Sequence, residues 1–596
     1  MITAEAIQSF LTFNWLTGPI LSKELRIAGR RRRNYVLRMA YLVLFTLILA
    51  MIWLQTVRYR SGNTIYDVAR MSEISQSIAA FVVWFQFVCA QLIAIVLLST
   101  AISDEIYNRT LGVLMTTPIN SFQIVAGKLV SRIIQLLLLI CLSMPVLAII
   151  RIFGGIPWSF LMSSLCITLV AILFVGSISL FYSIFCRRAY VVIILAILTA
   201  TFFFLFIPAI TFITLEAFDV PKSIVNQNTV FQVLSAANPW FYLIVATEQL
   251  FSPVTRGGPQ MASLLVHCLT MLSLSACVIA LSISLVRRAA LRQIAGGASP
   301  APSVRKRRRN FLRPSGDAIA TVRGSPIVWK EIRTPLFRRR RRRSLMLFLP
   351  ALLVLALTYF LLQLDNALDD DGVQAAYIII FGLFGMLFAI SVPAGGISSE
   401  KESLSWPLLL TTTLGDWEIL AGKAIGSLRR VVPCFLLLFL HLAFFVLVGY
   451  IHPVCLVQLP VPILGAVLFL TGSGLYFSAR FRHTTTAVIA NFLLAGTLWF
   501  LVPFLGAIIA GISHEWDLVE GTLSVNPLVQ AIVVIAATVG RQNADRSIMS
   551  LDYDFPSSSA SFLEATWRIC LLAVACTFCG FLWAWLAKRR FRKDLV

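Results

Sequence analysis

Long uncharged apolar runs, each bounded by polar or basic residues, recur along the whole chain. A hydrocarbon core about 30 Å thick needs roughly 20 helical residues, at about 1.5 Å of rise each. Runs of that length predict membrane spans near 35–57, 77–101, 130–150, 157–185, 189–214 and 261–286. A second set is predicted near 344–364, 374–397, 431–450, 455–479, 485–511 and 563–587. The runs are continuous rather than alternating with a period of two, which argues against the strands of an outer-membrane barrel. The expected fold is therefore an all-α polytopic integral membrane protein of about twelve transmembrane helices.

Composition agrees with this reading. Of 596 residues, 58% are hydrophobic and only 13% are charged, about half the charged share of a soluble domain. The net charge of +23 would suggest nucleic acid in a soluble protein, but its distribution points to a membrane. With the N-terminus inside, most of the 50 Lys and Arg fall in cytoplasmic stretches; Arg58, Arg151, Lys222 and Arg546 are among the few outside. The positive-inside rule predicts that asymmetry, with both termini cytoplasmic and no nucleic-acid partner. The first apolar run follows Arg30 to Arg33 and is too long for a signal-peptide core, so it is expected to act as an uncleaved anchor. Of eleven cysteines most fall inside spans, and the Cys576–Cys579 pair, beside Cys570, lies in the last apolar helix, where packing is the expected role. His514-Glu515-Trp516-Asp517 does not have the zinc-protease pattern. No disulfide or metal framework is expected.

The chain also repeats itself. Gly18-Pro19-Ile20-Leu21-Ser22-Lys23-Glu24-Leu25-Arg26 corresponds to Ser325-Pro326-Ile327-Val328-Trp329-Lys330-Glu331-Ile332-Arg333, and an arginine cluster follows each. A gapless block pairs Glu105 with Glu400, Thr116 and Thr117 with Thr411 and Thr412, and Ile124 with Ile419. It closes with Ala126-Gly127-Lys128 against Ala421-Gly422-Lys423; later, Gly176-Ser177 matches Gly472-Ser473 and Asn238-Pro239 matches Asn526-Pro527. Ordered matches of this kind mark two fused copies of one six-helix unit. Six is even, so the copies are parallel repeats, expected to surround a pseudo-two-fold axis along the membrane normal with a substrate path between them. The expected organisation is a cytoplasmic amphipathic segment (1–34), a first unit (35–286), a basic cytoplasmic linker with a second amphipathic segment (287–343), a second unit (344–587) and a basic tail (588–596). The linker, rich in Ala, Gly, Pro and Ser around Arg305 to Arg309, suits anionic headgroups or plain solvent equally.

Between the second and third spans of each unit lies a cytoplasmic loop, 103–128 and 398–423. In the first copy it reads as a short helix with Leu111, Leu114 and Met115 on one side, stopped by Pro118. Ser121 and Asp416 are suitable N-caps for the helices that follow. A Glu, a Thr-Leu, a Leu then Thr-Pro-Ile, and a Gly-Lys ten residues on resemble the ABC-2 type permease family, the membrane subunits of ABC exporters. The resemblance implies that the loop is a coupling helix docking on an ATP-binding subunit, through Glu105, Arg109, Thr110, Leu111, Leu114 and Pro118, and through Glu400, Leu409 and Thr412. It also implies that Lys23, Glu24 and Arg26, with Lys330, Glu331 and Arg333, belong to amphipathic connecting segments. The stretches 215–260 and 512–562, each with its Asn-Pro, resemble the family's external, partly re-entrant helices. The second copy departs from the pattern, with Thr413 for Pro118 and Ser405-Trp406 for Thr110-Leu111, so the two loops are not expected to be equivalent.

No GxxxxGK[ST] cradle for phosphates occurs, because Gly127-Lys128 and Gly422-Lys423 lack the upstream glycine and the following Ser or Thr. The chain is thus not expected to be an enzyme or to bind a cofactor; two loops imply two copies of a separate ATPase subunit, with membrane lipids as the other partner. The expected function is the permease of an ATP-driven exporter, in a prokaryotic cytoplasmic membrane. One alternative is a non-transporting scaffold or assembly factor. Another is an ion-coupled transporter, which would need acidic relays inside the spans; the candidates there are limited to polar side chains such as Gln86, Gln91, Gln135, His441 and Asn491, which suit interhelical hydrogen bonds better. His267 is read as a packed histidine, and Asp369-Asp370-Asp371 as a solvated turn rather than a cation site.

Overall fold

A computed structural model describes residues 20–26, scattered positions between 35 and 50, and residues 64–107, 110, 120–141, 143–151, 155–186, 189–217, 227–251, 261–295, 324–333, 341–364, 367–513, 517–540, 543, 546–556 and 558–592. The chain divides into two compact units, Met1–Phe212 with Asp219–Ser315, and Gly316–Val596 with Ile213–Phe218.

Among the described residues, ten helices are long and apolar enough to cross a membrane. In the first unit they are the second to sixth predicted spans: Ser75–Ser99, Ser121–Arg151, Trp158–Phe185, Ala189–Leu215 and Leu264–Ala289. In the second unit they are the second to sixth again: Gly372–Ala394, Asp416–Val448, Cys455–Arg480, Thr484–Gly506 and Phe562–Arg590. The first predicted span of the chain lies largely outside the described residues. Its counterpart forms the helix Arg341–Leu364, whose described apolar part is Leu355–Leu364. The protein is thus an all-α polytopic integral membrane protein.

In each unit the fourth span is the buried centre. Trp158–Phe185 and Cys455–Arg480 are the spans with the largest buried share, and they pack against the sixth spans. The sixth spans turn large apolar residues outward, among them Leu265, Leu269, Leu571 and Phe578. A lipid solvent favours that inversion, since its tails are as apolar as the side chains. Small residues make the closest approach in the second unit. A methyl group on Gly472 would collide with the Gly580 carbonyl, and one on Gly465 would lie 2.8 Å from the Ala573 Cα.

Chain reversals fall where backbone chemistry allows them. Gly449 (φ 84°) ends Asp416–Val448 in the left-handed region, its amide donating to the Phe445 and Val446 carbonyls. Gly155 (φ 79°) precedes Trp158–Phe185; a Cβ there would meet the Ser72 carbonyl at 2.9 Å, and the Gln76 side chain donates to the Gly155 carbonyl. The helices Ser121–Cys141 and Asp416–Val448 include Ser121 and Asp416 as first helical residues rather than caps. The residue before carries the cap instead: the Asn120 amide donates to the Gln123 side chain, and Gly415 makes no side-chain cap bond. Asp416 accepts from Arg592 at 2.9 Å. Asp370 caps Asp371–Ala394 by accepting from the Gly372 and Val373 amides, so the acidic run is a helix start.

Between the fifth and sixth spans the units differ. The first has two helices, Gln227–Ala237 and Pro239–Phe251, bent by 118° at the break. The second has Asp517–Ser524 and Pro527–Thr538. It adds an antiparallel hairpin, Tyr553–Phe555 with Ser558–Ala560, that the apolar pattern did not predict. Tyr553, in its first strand, is fully buried and donates to Gln458, which donates in turn to Thr566.

Polar residues within the spans are tied to neighbouring helices or to their own backbone. Ser143 donates to Gln86 at 2.5 Å, Trp240 to Gln91 at 3.2 Å, and Ser473 to Asn491 at 2.7 Å. Gln135 donates to the Ser131 carbonyl, His441 pairs with the Tyr359 hydroxyl and His267 with the Ser235 carbonyl. All eleven cysteines are unpaired.

Candidate functional site

The duplicated Glu and Gly-Lys positions converge in both units on one construction. In the first, the helix 20–26 presents Glu24, the short helix Ser103–Tyr107 presents Glu105, and Ser121–Cys141 presents Lys128. The buried Lys128 ammonium lies 3.1 Å from Glu105 Oε1 and 3.7 Å from Glu24 Oε1. Arg132, one turn on, lies 3.6 Å from Glu24 Oε2. Thr110 donates to the other Glu105 oxygen. Burial alone would raise the Glu105 carboxyl. The Lys128 charge, hydrogen bonds from Thr110 and Lys128, and the Lys23 charge more than offset it, leaving the group below the usual glutamate range.

The second unit repeats the cluster with more cations. Pro326–Arg333 presents Glu331, Ser398–Glu402 presents Glu400 and Asp416–Val448 presents Lys423. Lys423 Nζ donates to Glu331 at 3.0 Å and to Glu400 at 2.6 Å. Arg430 pairs with the second Glu331 oxygen, Arg429 donates to the Glu331 carbonyl at 2.7 Å, and Lys330 lies 4.0 Å from Glu400. Glu331 too is desolvated, yet Lys423, Arg430 and Lys330 hold its carboxyl below the usual range.

The Gly-Lys motif thus has a steric meaning. A Cβ on Gly422 would fall 3.0 Å from Ile327 Cβ, and one on Gly426 would fall 2.9 Å from Glu331 Cβ. The two glycines, one turn apart, form a smooth strip on which Pro326–Arg333 lies against the third span. The lysine beside the strip then joins that helix to the loop.

In the second unit the loop itself is described throughout. Its charged side chains point inward: Glu400 to Lys423, Lys401 to the Ala479 carbonyl, and Glu402 to the Thr484 amide and hydroxyl at 2.7 and 2.8 Å. Trp406 is buried against Phe591, with ring centroids 4.8 Å apart. Leu409 packs against the same cluster, while Thr412 is exposed and donates to the Leu409 carbonyl. What faces outward carries no charge: Ser403 and Thr411 to Thr413 are exposed, and beside them stands an apolar pair. Leu404 is 70% and Leu408 71% exposed, with Leu404 held at φ 56° between the two short helices of the loop. Ser405 stands where Thr110 does in the first copy, but its hydroxyl turns to the Glu400 carbonyl and Ser403, and Glu400 Oε2 is left without a partner among the described residues.

Of the residues picked out in sequence, Glu24, Glu105, Glu331 and Glu400 meet in these clusters. Lys330 takes part through Glu400, and Lys23 acts on Glu105 through its charge. Lys23 and Arg26 are exposed, and Arg333 ends its helix. Thr110 is exposed and bonded to Glu105. Arg109, Leu111, Leu114 and Pro118 lie outside the described residues, as do His514 and most of the basic linker. The cations Lys128, Arg132, Lys423, Arg429 and Arg430 were not singled out as site residues, although the Gly-Lys repeat marked two of them.

Residues 19–289 match the family model described as ABC-2 family transporter protein. No curated protein and no solved structure matches the chain. The stretch from 19 to 289, which holds the first unit's spans, belongs to the ABC-2 family of transporter proteins, the membrane permeases of ABC transporters. The second unit carries the same ion cluster at the repeat-equivalent positions Glu331, Glu400 and Lys423.

Proposed function

We propose that the chain is the membrane-spanning subunit of an ATP-driven exporter, with both termini cytoplasmic in a prokaryotic cytoplasmic membrane. ATP is hydrolysed by a separate subunit, in two copies, one docked at each loop. The observation that carries this reading is the loop built twice on a buried lysine. Lys128 and Lys423 each join a connecting helix, a loop and the third span into one body. In the second unit that body turns Leu404 and Leu408 outward. An inward-facing charged set with an outward apolar pair suits a protein partner at the membrane surface. The family match supports the permease class. The distribution of Lys and Arg supports the topology.

The test is purification of the tagged chain from mildly solubilised membranes, with every co-purifying polypeptide identified. A stoichiometric partner bearing a phosphate-binding GxxxxGK[ST] loop supports the exporter. Intact folded protein with no ATPase attached shifts the reading to a scaffold.

A further inference from the structure

A second duplicated construction lies away from the loops. The fifth span of each unit contains a proline, Pro208 and Pro503, at equivalent repeat positions. Proline offers no amide to the carbonyl four residues earlier and its ring crowds that carbonyl; those carbonyls belong to Phe204 and Trp499. Both spans widen just before the proline into a π turn, Phe202–Phe206 and Thr497–Leu501, closed by Ile207 and Val502 amides donating five residues back.

A carbonyl freed inside a membrane must find another donor. In both units that donor is the asparagine of the Asn-Pro pair. Asn238 Nδ2 donates to Phe204 O at 2.7 Å, and Asn526 Nδ2 donates to Trp499 O at 2.7 Å. Both asparagines are at least nine-tenths buried. Their other atom is also used. Asn238 Oδ1 accepts from the Trp240 and Phe241 amides, and Asn526 Oδ1 from the Leu528 amide, capping helices that begin at Pro239 and Pro527.

We propose that Pro208–Asn238 and Pro503–Asn526 are positioning pairs. In each, the proline opens the fifth span at one carbonyl. The asparagine uses that carbonyl to fix the start of the following short helix, so this helix moves with the bend of the span. The pairing itself rests on the repeat and the hydrogen bonds; its use in moving substrate rests on the exporter reading.

A double-mutant cycle tests it without any partner or substrate. Asn238→Ser keeps a capping oxygen but is too short to donate across to Phe204, and Pro208→Ala returns a backbone amide to the same carbonyl. Hydrogen exchange of 239–251 is followed in the detergent-solubilised full chain. Asn238→Ser alone should speed exchange there about fivefold, the scale of one interhelical bond, and in the Pro208→Ala background it should change exchange little. Equal acceleration in both backgrounds, or none in either, would overturn the proposal. If Asn238→Ser does not fold, recovery of the fold with Pro208→Ala supports the pairing and continued misfolding refutes it. The same cycle with Asn526→Ser and Pro503→Ala reads the second unit. Absence of an ATPase partner would leave these results standing, so this proposal and the exporter reading fail separately.

Discussion

Each buried lysine answers two carboxylates on different elements, so its removal leaves negative charge stranded in a poorly solvated place. Truncating one partner of such a set costs about 3–5 kcal/mol, and Lys423→Met is therefore expected to lower thermal stability in detergent more than any exposed substitution. Arg429 and Arg430 still reach Glu331 in that variant, so the loss should appear chiefly as release of Glu400 and its loop. Unchanged stability and unchanged protection of 398–410 would refute the strut. The pH dependence follows from Glu105 and Glu331, both held below the ordinary glutamate range. A group whose folded value is depressed binds fewer protons folded than unfolded. Its contribution is present above the unfolded value, about 4.3, and disappears as pH falls through the folded one. Thermal melts should thus be flat from neutral pH down to about 5 and fall below about 4. A fall that begins near pH 6 would implicate histidine instead.

At the scale of elements, the apolar runs located the helices well because a bilayer imposes length and composition on every span. The buried contacts were less legible. The family resemblance makes Glu105 and Glu400 docking residues. The structure pairs both with lysines of the third span, and no local pattern reveals which way a glutamate on a short helix turns. The hairpin at Tyr553 was missed because it is held by Gln458 and a small apolar cluster, contacts distant in sequence. By contrast, the Pro208 and Pro503 register, 295 residues apart like the loops, was open to inspection. The closest helix packing also hides in plain sight, in two glycines. Gly472→Leu should prevent the fourth and sixth spans of the second unit from meeting and abolish folded protein. Gly382→Ala, where nothing lies within 4 Å, should be neutral or slightly stabilising. Size-exclusion profiles of the two variants decide this, and a monodisperse Gly472→Leu protein would mean that the helices do not pack through that glycine.

For the whole molecule, duplication raises the question of whether the two halves do equal work. Both own a buried lysine strut, yet the second surrounds its glutamates with Lys330, Arg429 and Arg430 where the first has Arg132 and the Lys23 charge, and it lacks the threonine bond that Glu105 receives. Only the second adds a hairpin between its fifth and sixth spans among the described residues. If each loop holds one ATPase, the assembly carries two, and damage to one outward surface should remove one without disturbing insertion. Leu404→Asp with Leu408→Asp places charge on side chains that are about 70% exposed, so folding should tolerate it. An apolar contact buried by a partner would not, since an unpaired charge there is costly. The expected result is a stable permease that co-purifies with one ATPase per chain instead of two, measured by native mass spectrometry. Retention of both copies would show that docking does not use this leucine pair. Loss of both would show that the two sites bind cooperatively and that neither half holds its partner alone.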